Sequence, residues 1–208
     1  MILIGQFDSP YARRVGITLK TYGIGFEHNR WSVFGNADEL SKVNPLIRVP
    51  TLVLDTGEAL IETAAIVEYL DSLAVPAKRL LPQENPLRYR CQRIVGMASG
   101  VSDMAVRLFY EQRLHDTPSA DFVARMSKQL QGALTWLEAD RAARPGDSWF
   151  GGPMTQADIA VTCALRHLRE SQPVVGNLTP YPALMRHCAH YEALPVFQEI
   201  SQAFIAPA

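Results

Sequence analysis

The spacing of apolar and polar positions along the first 73 residues predicts a small domain that mixes strands and helices. Four short runs rich in apolar and β-branched residues have the length of strands: residues 1–7, 26–33, 51–54 and 59–60. Three further segments carry apolar residues at helical spacing: residues 11–22, 37–43 and 62–73. The predicted order is β-α-β-α-β-β-α, in which a crossover favours a parallel first pair and the turn at residues 55–58 an antiparallel hairpin.

Beyond residue 86 the pattern predicts helices alone: residues 87–114, 119–144 and 156–169. Pro76, Pro82 and Pro86 interrupt helical structure between the two patterns and mark residues 76–86 as a linker. Thr155 and Asp158 have the spacing of a capping box at the start of the third helix. The chain is therefore predicted to be α+β overall, with an N-terminal domain at residues 1–75 and an all-α domain at residues 87–208.

Three features of the N-terminal part predict a site for a peptide-like anion. Ser9 is a good N-cap and Pro10 a good first residue for the helix that follows. Pro50 stands directly before an apolar run, where a cis Val49–Pro50 bond would turn the Val49 amide and carbonyl outward toward an extended peptide. Glu62 precedes a helix whose free N–H groups suit a carboxylate. A backbone site beside an anion site points to the tripeptide glutathione.

The element order is that of the thioredoxin fold, and the motifs extend the likeness. The segment from Ser9 to Val15, the segment from Asn44 to Pro50 and the Glu62–Thr63 pair together resemble a bacterial, cytosolic-type glutathione S-transferase. That family usually has Glu-Ser where this chain has Glu62–Thr63, and threonine keeps both the hydroxyl and the backbone donors. The resemblance covers nearly the whole chain, because an all-helical C-terminal part is also expected.

The resemblance implies roles for particular residues. Ser9 is implied as the catalytic residue that activates the glutathione thiol. The implied glutathione contacts are Arg48, Val49, Pro50, Glu62 and Thr63, with Asp103 reaching the γ-glutamyl amine across a dimer. The implied pocket for a small hydrophobic electrophile is lined by Tyr11, Met104, Arg107 and Leu108. Most of these residues also have a plain structural interpretation: Ser9 and Glu62 as caps alone, Pro50 as a strand-start proline in trans, Arg48 and Asp103 as solvated charges, and Met104, Arg107 and Leu108 as helix core.

Thiolate stabilisation is the chemistry that such a site must supply. A thiol near its reference pKa of about 8.5 is only about 3% ionised at pH 7. Lowering that pKa by roughly two units makes the thiolate the main form, which corresponds to about 2.7 kcal/mol. The Ser9 hydroxyl and the N–H groups of the helix it caps favour an anion at that point.

Composition and charge exclude several other classes of function. A formal net charge of −1 without a long basic run argues against nucleic acid as a partner. The chain has no stretch of eighteen apolar residues, and its first residues read as a strand, so neither a membrane span nor a signal peptide is expected. Three widely spaced cysteines fit a reducing cytoplasm better than a disulfide framework. His187 and His190 alone have ligand-like spacing, and two ligands do not make a metal site, so no metal is expected.

Two alternatives remain beside the transferase. A thiol-redox protein of the glutaredoxin or omega-like type needs a cysteine where this chain has Ser9, and no cysteine precedes Cys91. A non-catalytic interaction module with this fold has no need of Ser9, Pro50 and the Glu62–Thr63 pair. The family resemblance also implies a homodimer, in which the small residues Ala64 and Ala65 lie at the interface.

Overall fold

The computed structural model describes residues 1–206, which fold into two compact units. Unit 1 consists of Met1–Leu80 together with the chain from Leu194 onward, and unit 2 consists of Leu81–Ala193. The strands are β1 (Ile2–Ile4), β2 (Glu27–Asn29), β3 (Thr51–Val53) and β4 (Ala59–Ile61). The α-helices, in chain order, are α1 (Pro10–Tyr22), α2 (Ala37–Ser41), α3 (Thr63–Leu73), α4 (Leu87–Leu114), α5 (Ala120–Ala142), α6 (Gln156–Ser171), α7 (Pro182–Glu192) and α8 (Pro195–Glu199).

The four strands form one mixed sheet in unit 1, in the order β2-β1-β3-β4. β1 pairs parallel with β2 and antiparallel with β3, and β3 pairs antiparallel with β4. Leu3 and Leu52 lie opposite each other in the β1–β3 register, and both side chains are fully buried. The predicted α+β class, the β-α-β-α-β-β-α order, the parallel crossover and the hairpin are confirmed.

Helix α1 begins and ends at residues whose chemistry suits those positions. Ser9 is its N-cap and Pro10 its first residue, as predicted. It ends at Gly23, whose φ of 70° lies in the left-handed region that glycine adopts without a steric penalty. Val15, Ile17 and Leu19 are fully buried, so the helix presents apolar side chains to the core of unit 1.

Unit 2 is built from helices. α4 packs on α5 and α6, and α7 packs on the same two helices. Apolar side chains from α4, α5 and α6 fill its core, including Val101, Leu108, Leu130, Leu134, Ile159 and Leu165. This agrees with the predicted helical character of the C-terminal part.

The structure differs from the sequence-based prediction in several places. β1 and β2 each cover three residues rather than the predicted residues 1–7 and 26–33. The helices α7 and α8 were not predicted. The buried stripe of α7 contains His187 and Cys188 among its apolar residues, and it begins after the proline-rich segment near Pro182. The chain from Leu194 onward groups with unit 1, whereas the predicted helical domain extended over residues 87–208.

A buried polar cluster holds the start of α6 to the loop before it. The fully buried Asp158 carboxylate accepts hydrogen bonds from the Trp149 amide (2.6 Å), the Thr155 amide (2.7 Å) and the Thr155 hydroxyl (2.9 Å). Thr155 and Asp158 form the predicted capping box. From α7, His187 Nδ1 accepts a hydrogen bond from Arg141 Nε at 3.3 Å, and His187 Nε2 lies 4.0 Å from Asp158 Oδ1.

His187 is expected to make the stability of the protein fall in mild acid. Burial, and then the Arg141 charge, lower the pKa of His187 to about 3. The unfolded chain binds a proton at this histidine near pH 6.5, whereas the folded chain binds it only near pH 3. Between these two pH values, every decrease in pH therefore lowers the free energy of unfolding. Between pH 7 and pH 5, His187 should therefore remove about 2 kcal/mol from the free energy of unfolding.

Urea unfolding of the wild type and of His187→Gln at both pH values measures this contribution. The variant should lose about 2 kcal/mol less than the wild type between pH 7 and pH 5. His115→Gln is the control, since His115 lies on the surface beside Glu111. Equal losses in all three proteins would contradict the assignment.

Candidate functional site

Ser9 closes the turn between β1 and α1 and has every backbone group engaged. Its N–H donates to the Gln6 carbonyl at 3.2 Å, and its carbonyl accepts from the Arg13 amide at 3.0 Å. Its hydroxyl oxygen accepts from the Ala12 amide at 3.3 Å, which is the N-cap hydrogen bond. Within residues 1–206 no acceptor takes the hydroxyl proton, so the half-buried Ser9 can cap α1 and still donate a hydrogen bond.

The loop before β3 is organised by the buried side chain of Asn44. Its amide group donates to the Arg48 carbonyl and to the Thr51 hydroxyl, each at 3.0 Å, and its amide oxygen accepts from the Leu46 N–H at 3.0 Å. The Thr51 hydroxyl donates to the Arg48 carbonyl at 3.0 Å. The Val49–Pro50 peptide bond that follows is cis, as predicted.

Glu62 begins α3 in a backbone conformation that is rare for a residue with a side chain. Its φ is 67° and its ψ is 122°, and its carbonyl accepts the first helical hydrogen bond from the Ile66 amide at 3.0 Å. Its side chain does not cap the helix. Among the described residues, nothing accepts a hydrogen bond from the N–H groups of Thr63, Ala64 and Ala65. A strained residue that leaves a helix N-terminus open is typical of an anion-binding site.

Arg48 and Glu62 contact each other at the surface of unit 1. Arg48 Nη1 lies 2.9 Å from Glu62 Oε1, and both side chains are more than half exposed. Both residues were predicted to contact glutathione, and their contact with each other was not predicted. The loop before β3 and the start of α3 are therefore joined by their two charged side chains.

The residues predicted to line the electrophile pocket, together with Asp103, differ in their exposure. Tyr11 is half-buried in the first turn of α1. On α4, Asp103 and Arg107 are exposed, Met104 is half-buried and Leu108 is fully buried. Leu108 therefore packs in the interior and has no surface to offer a ligand, while the assignments of Tyr11, Asp103, Met104 and Arg107 stay predictions.

Sequence reasoning did not recognise the two residues that shape the loop before β3. Asn44 and Thr51 are 1% and 0% exposed, and their hydrogen bonds fix the loop around Arg48. Asn44 was noticed only as the start of a motif. An asparagine directly before a proline could have signalled this role, since its side chain can bond the backbone of its own loop.

In residues 1–206 no group of three or more His, Cys, Asp or Glu side chains is arranged to hold a metal ion. None of the helices in that range combines the length and the apolar character needed to cross a bilayer.

Comparison with known proteins shows one family over most of the chain. The family described as glutathione S-transferase, N-terminal domain, matches residues 3–78, and the corresponding C-terminal domain family matches residues 120–190. A probable maleylacetoacetate isomerase 1 of Drosophila melanogaster is 29% identical, over 95% of this chain and 79% of its own length.

Solved bacterial structures agree over both units. A glutathione S-transferase from Methylobacillus flagellatus with glutathione bound is 27% identical, has a TM-score of 0.88, and covers 96% of this chain and 98% of its own. A glutathione S-transferase from Methylobacterium radiotolerans in complex with glutathione sulfonate is 28% identical, has a TM-score of 0.89, and covers 100% of this chain and 98% of its own. Matched in both halves by the family's two domains, this chain belongs to the glutathione S-transferase family.

Proposed function

We propose that the protein is a glutathione S-transferase that binds glutathione in unit 1 and holds its thiol as a thiolate for attack on a small hydrophobic electrophile. The observation that carries this proposal is Ser9, whose hydroxyl oxygen is occupied by the cap of α1 while its proton remains available. A donor fixed in this way stabilises an anion without having to reorganise. The bound glutathione in the Methylobacillus structure supports the choice of ligand.

The start of α3 suits the γ-glutamyl end of glutathione. That end carries an ammonium and a carboxylate. The Glu62 carboxylate can bind the ammonium, and the open N–H groups of Thr63 and Ala64 together with the Thr63 hydroxyl can bind the carboxylate. Arg48 would then turn from Glu62 toward the glycyl carboxylate, which its exposed guanidinium can reach without a buried charge being left unpaired.

The backbone of Val49 suits the middle of the tripeptide. In residues 1–206 the Val49 amide and carbonyl make no hydrogen bond, although the residues on either side of it are fixed by Asn44 and by β3. An extended peptide can pair with such a residue through one donor and one acceptor. Pro50 behind it is buried and holds the position.

Glutathione binding is expected to depend on Glu62. Glu62→Ala removes the only acidic side chain that we assign to the ligand within unit 1, and it should weaken binding about tenfold, or about 1.4 kcal/mol. Isothermal titration of the wild type should give a dissociation constant between micromolar and millimolar. Glu58→Ala removes an exposed carboxylate from the β3–β4 turn and serves as the control. No heat and no thermal shift at saturating glutathione would reject the proposed function.

A second reaction at the same thiolate is suggested by the name of one relative. The Drosophila protein is named a probable maleylacetoacetate isomerase. A thiolate can add to a carbon–carbon double bond that is conjugated to a carbonyl, allow rotation about the resulting single bond and leave again, so the same thiolate can serve this reaction. Purified protein assayed with a chlorodinitrobenzene and with maleylacetoacetate, both in the presence of glutathione, would separate conjugation from isomerisation.

We also propose a homodimer. The α3 face that carries Ala64, Ala65 and Glu68 is exposed, and small residues allow a partner helix to approach closely. A stable two-fold interface should bury more than about 1,000 Å² and be complementary to itself. Sedimentation equilibrium at micromolar concentration should give twice the mass of one chain, whereas the mass of a single chain would reject the dimer and the role of Asp103.

The cytoplasm is the compartment that we propose. Cys91, Cys163 and Cys188 are all buried, and within residues 1–206 none of them forms a disulfide. Thiols that stay reduced are typical of a reducing compartment.

A further inference from the structure

The turn that carries Ser9 is fixed on one side by the sheet. The Gly5 amide donates to the Asn29 carbonyl at 2.9 Å, and His28 Nε2 donates to the Gly5 carbonyl at 2.8 Å. The Phe7 ring stacks on the His28 ring with their centroids 3.8 Å apart. These contacts hold residues 5–7 and leave the next residue, Asp8, to other partners.

On the other side, the end of the chain is fastened to α1. The buried Arg13 guanidinium donates from Nε to the Ile200 carbonyl and from Nη2 to the Phe197 carbonyl, each at 2.9 Å. Lys20 Nζ lies 2.5 Å from Glu199 Oε1. Because charged donors bond carbonyls strongly, α8 is held firmly against the helix that Ser9 caps.

After Phe197 and Ile200, which anchor it to α1, the chain contacts the turn that precedes Ser9. We define the tail segment as residues 201–206. Gln202 Oε1 accepts a hydrogen bond from the Phe7 amide at 3.4 Å, and the Asp8 carboxylate accepts one from the Ile205 amide at 3.2 Å. Phe7 and Asp8 are the two residues immediately before Ser9, so the tail segment is bonded to the backbone and the side chain that set the direction of the chain into the cap.

We propose that the tail segment positions Ser9 for thiolate stabilisation, with Gln202 and Asp8 as positioning residues. This inference rests on the proposed glutathione transferase function. The tail segment itself is mostly exposed, and Ile205 is 56% exposed, whereas the anchor residues Phe197 and Ile200 are buried. Removing the tail segment should therefore release the turn without opening the core.

The first consequence concerns the rate and not glutathione affinity. Binding is assigned to Arg48, Val49, Glu62 and Thr63, and the described hydrogen bonds and ion pairs of these residues lie within residues 44–67. Loss of one hydrogen bond to the turn should displace the Ser9 hydroxyl from the thiolate and lower kcat about fivefold. The pKa of the thiol of bound glutathione should rise at the same time, because the hydrogen bond from the Ser9 hydroxyl to the thiolate becomes weaker.

The experiment compares three disruptive variants with conservative partners and a control. Gln202→Ala, Asp8→Ala and a chain that ends after Ile200 remove the contacts, while Gln202→Glu and Asp8→Asn keep the accepting oxygens. Gln198→Ala alters an exposed side chain of α8 and leaves the tail segment intact. For each protein, kcat and the KM for glutathione are measured with a chlorodinitrobenzene, and the ultraviolet absorbance of the bound thiolate is titrated against pH.

The expected result is a kcat lowered about fivefold, an unchanged KM for glutathione and a thiolate titration moved to higher pH in the three disruptive variants. The conservative variants should resemble the wild type. The inference is overturned if the disruptive variants match Gln198→Ala, or if KM rises in proportion while the conservative variants show the same loss. Failure of the wild type to bind glutathione would instead reject the proposed function, and the titration with wild-type protein reveals this first.

Discussion

Replacing Ser9 by alanine is expected to lower kcat/KM for conjugation about 25-fold at pH 7, while glutathione binding changes little. The hydroxyl donates to the thiolate, and a rise of the thiol pKa by roughly two units, from about 6.5 back to about 8.5, lowers the ionised fraction at pH 7 from about 76% to about 3%. The difference between wild type and variant should shrink above about pH 9, where the free thiol ionises without help. Stopped-flow or steady-state kinetics over pH 6 to 10 would show this convergence.

Two further variants separate the chemical role of Ser9 from its role as a cap. Ser9→Thr keeps both the hydroxyl and the cap and should retain most of the activity. Ser119→Ala removes the N-cap of α5, which accepts from the Phe122 amide at 3.3 Å just as Ser9 accepts from the Ala12 amide. Both alanine variants should lose about 1 kcal/mol of stability, but only Ser9→Ala should lose activity. An unchanged rate in Ser9→Ala would move the role to backbone N–H groups or to Tyr11.

Replacing Asp158 by alanine is expected to produce the largest loss of stability, about 4 kcal/mol in the free energy of unfolding. The carboxylate is fully buried and accepts from two backbone amides and one hydroxyl, so its removal leaves these donors without an acceptor. The melting temperature should fall by about 10 °C. Circular dichroism with urea or heat measures both quantities.

A matched control tests whether the effect comes from burial or merely from charge near a helix N-terminus. Asp121 stands in the first turn of α5, as Asp158 does in α6, but it is exposed. Asp121→Ala should cost only about 0.5 kcal/mol, the usual size of a helix-dipole contribution at the surface. Asp158→Asn should lie between the two, because one of its two accepting oxygens becomes an amide NH2 group, which can only donate. A loss below 1 kcal/mol in Asp158→Ala would show that water replaces the carboxylate.

The predictable part of the candidate site is the part that depends on local sequence. Ser9 followed by Pro10 predicts a capped helix because both preferences act within one turn of backbone, and the structure confirms that helix. The Thr155–Asp158 box was readable for the same reason. The cis Val49–Pro50 bond could be predicted because it depends on a proline that directly precedes a strand, and the structure confirms it.

Other features of the site depend on residues far apart in the chain and were not predicted. The pairing of Arg48 with Glu62 requires the β3–β4 hairpin to bring α3 beside the loop before β3. The burial of Leu108 depends on which face of α4 meets its neighbours, and an amphipathic pattern with mixed residues left that face open. His187 became part of the Asp158 cluster only through α7, a helix whose buried stripe includes polar and small side chains.

The sequence alone determined the α+β class and the order of the strands and helices in the first 73 residues. It also determined where α1, α3 and α6 begin, because hydrophobic periodicity, turn chemistry and capping act within a few residues. Only the tertiary structure decided that the chain from Leu194 onward returns to unit 1 and that residues 202 and 205 bond to the turn before Ser9. Such contacts join positions almost two hundred residues apart. The Arg13 guanidinium anchors them, and the hydrophobic pattern of α1 does not predict that this charged side chain is buried. Burial of a guanidinium is favourable only where the folded chain supplies backbone carbonyls that accept its hydrogen bonds.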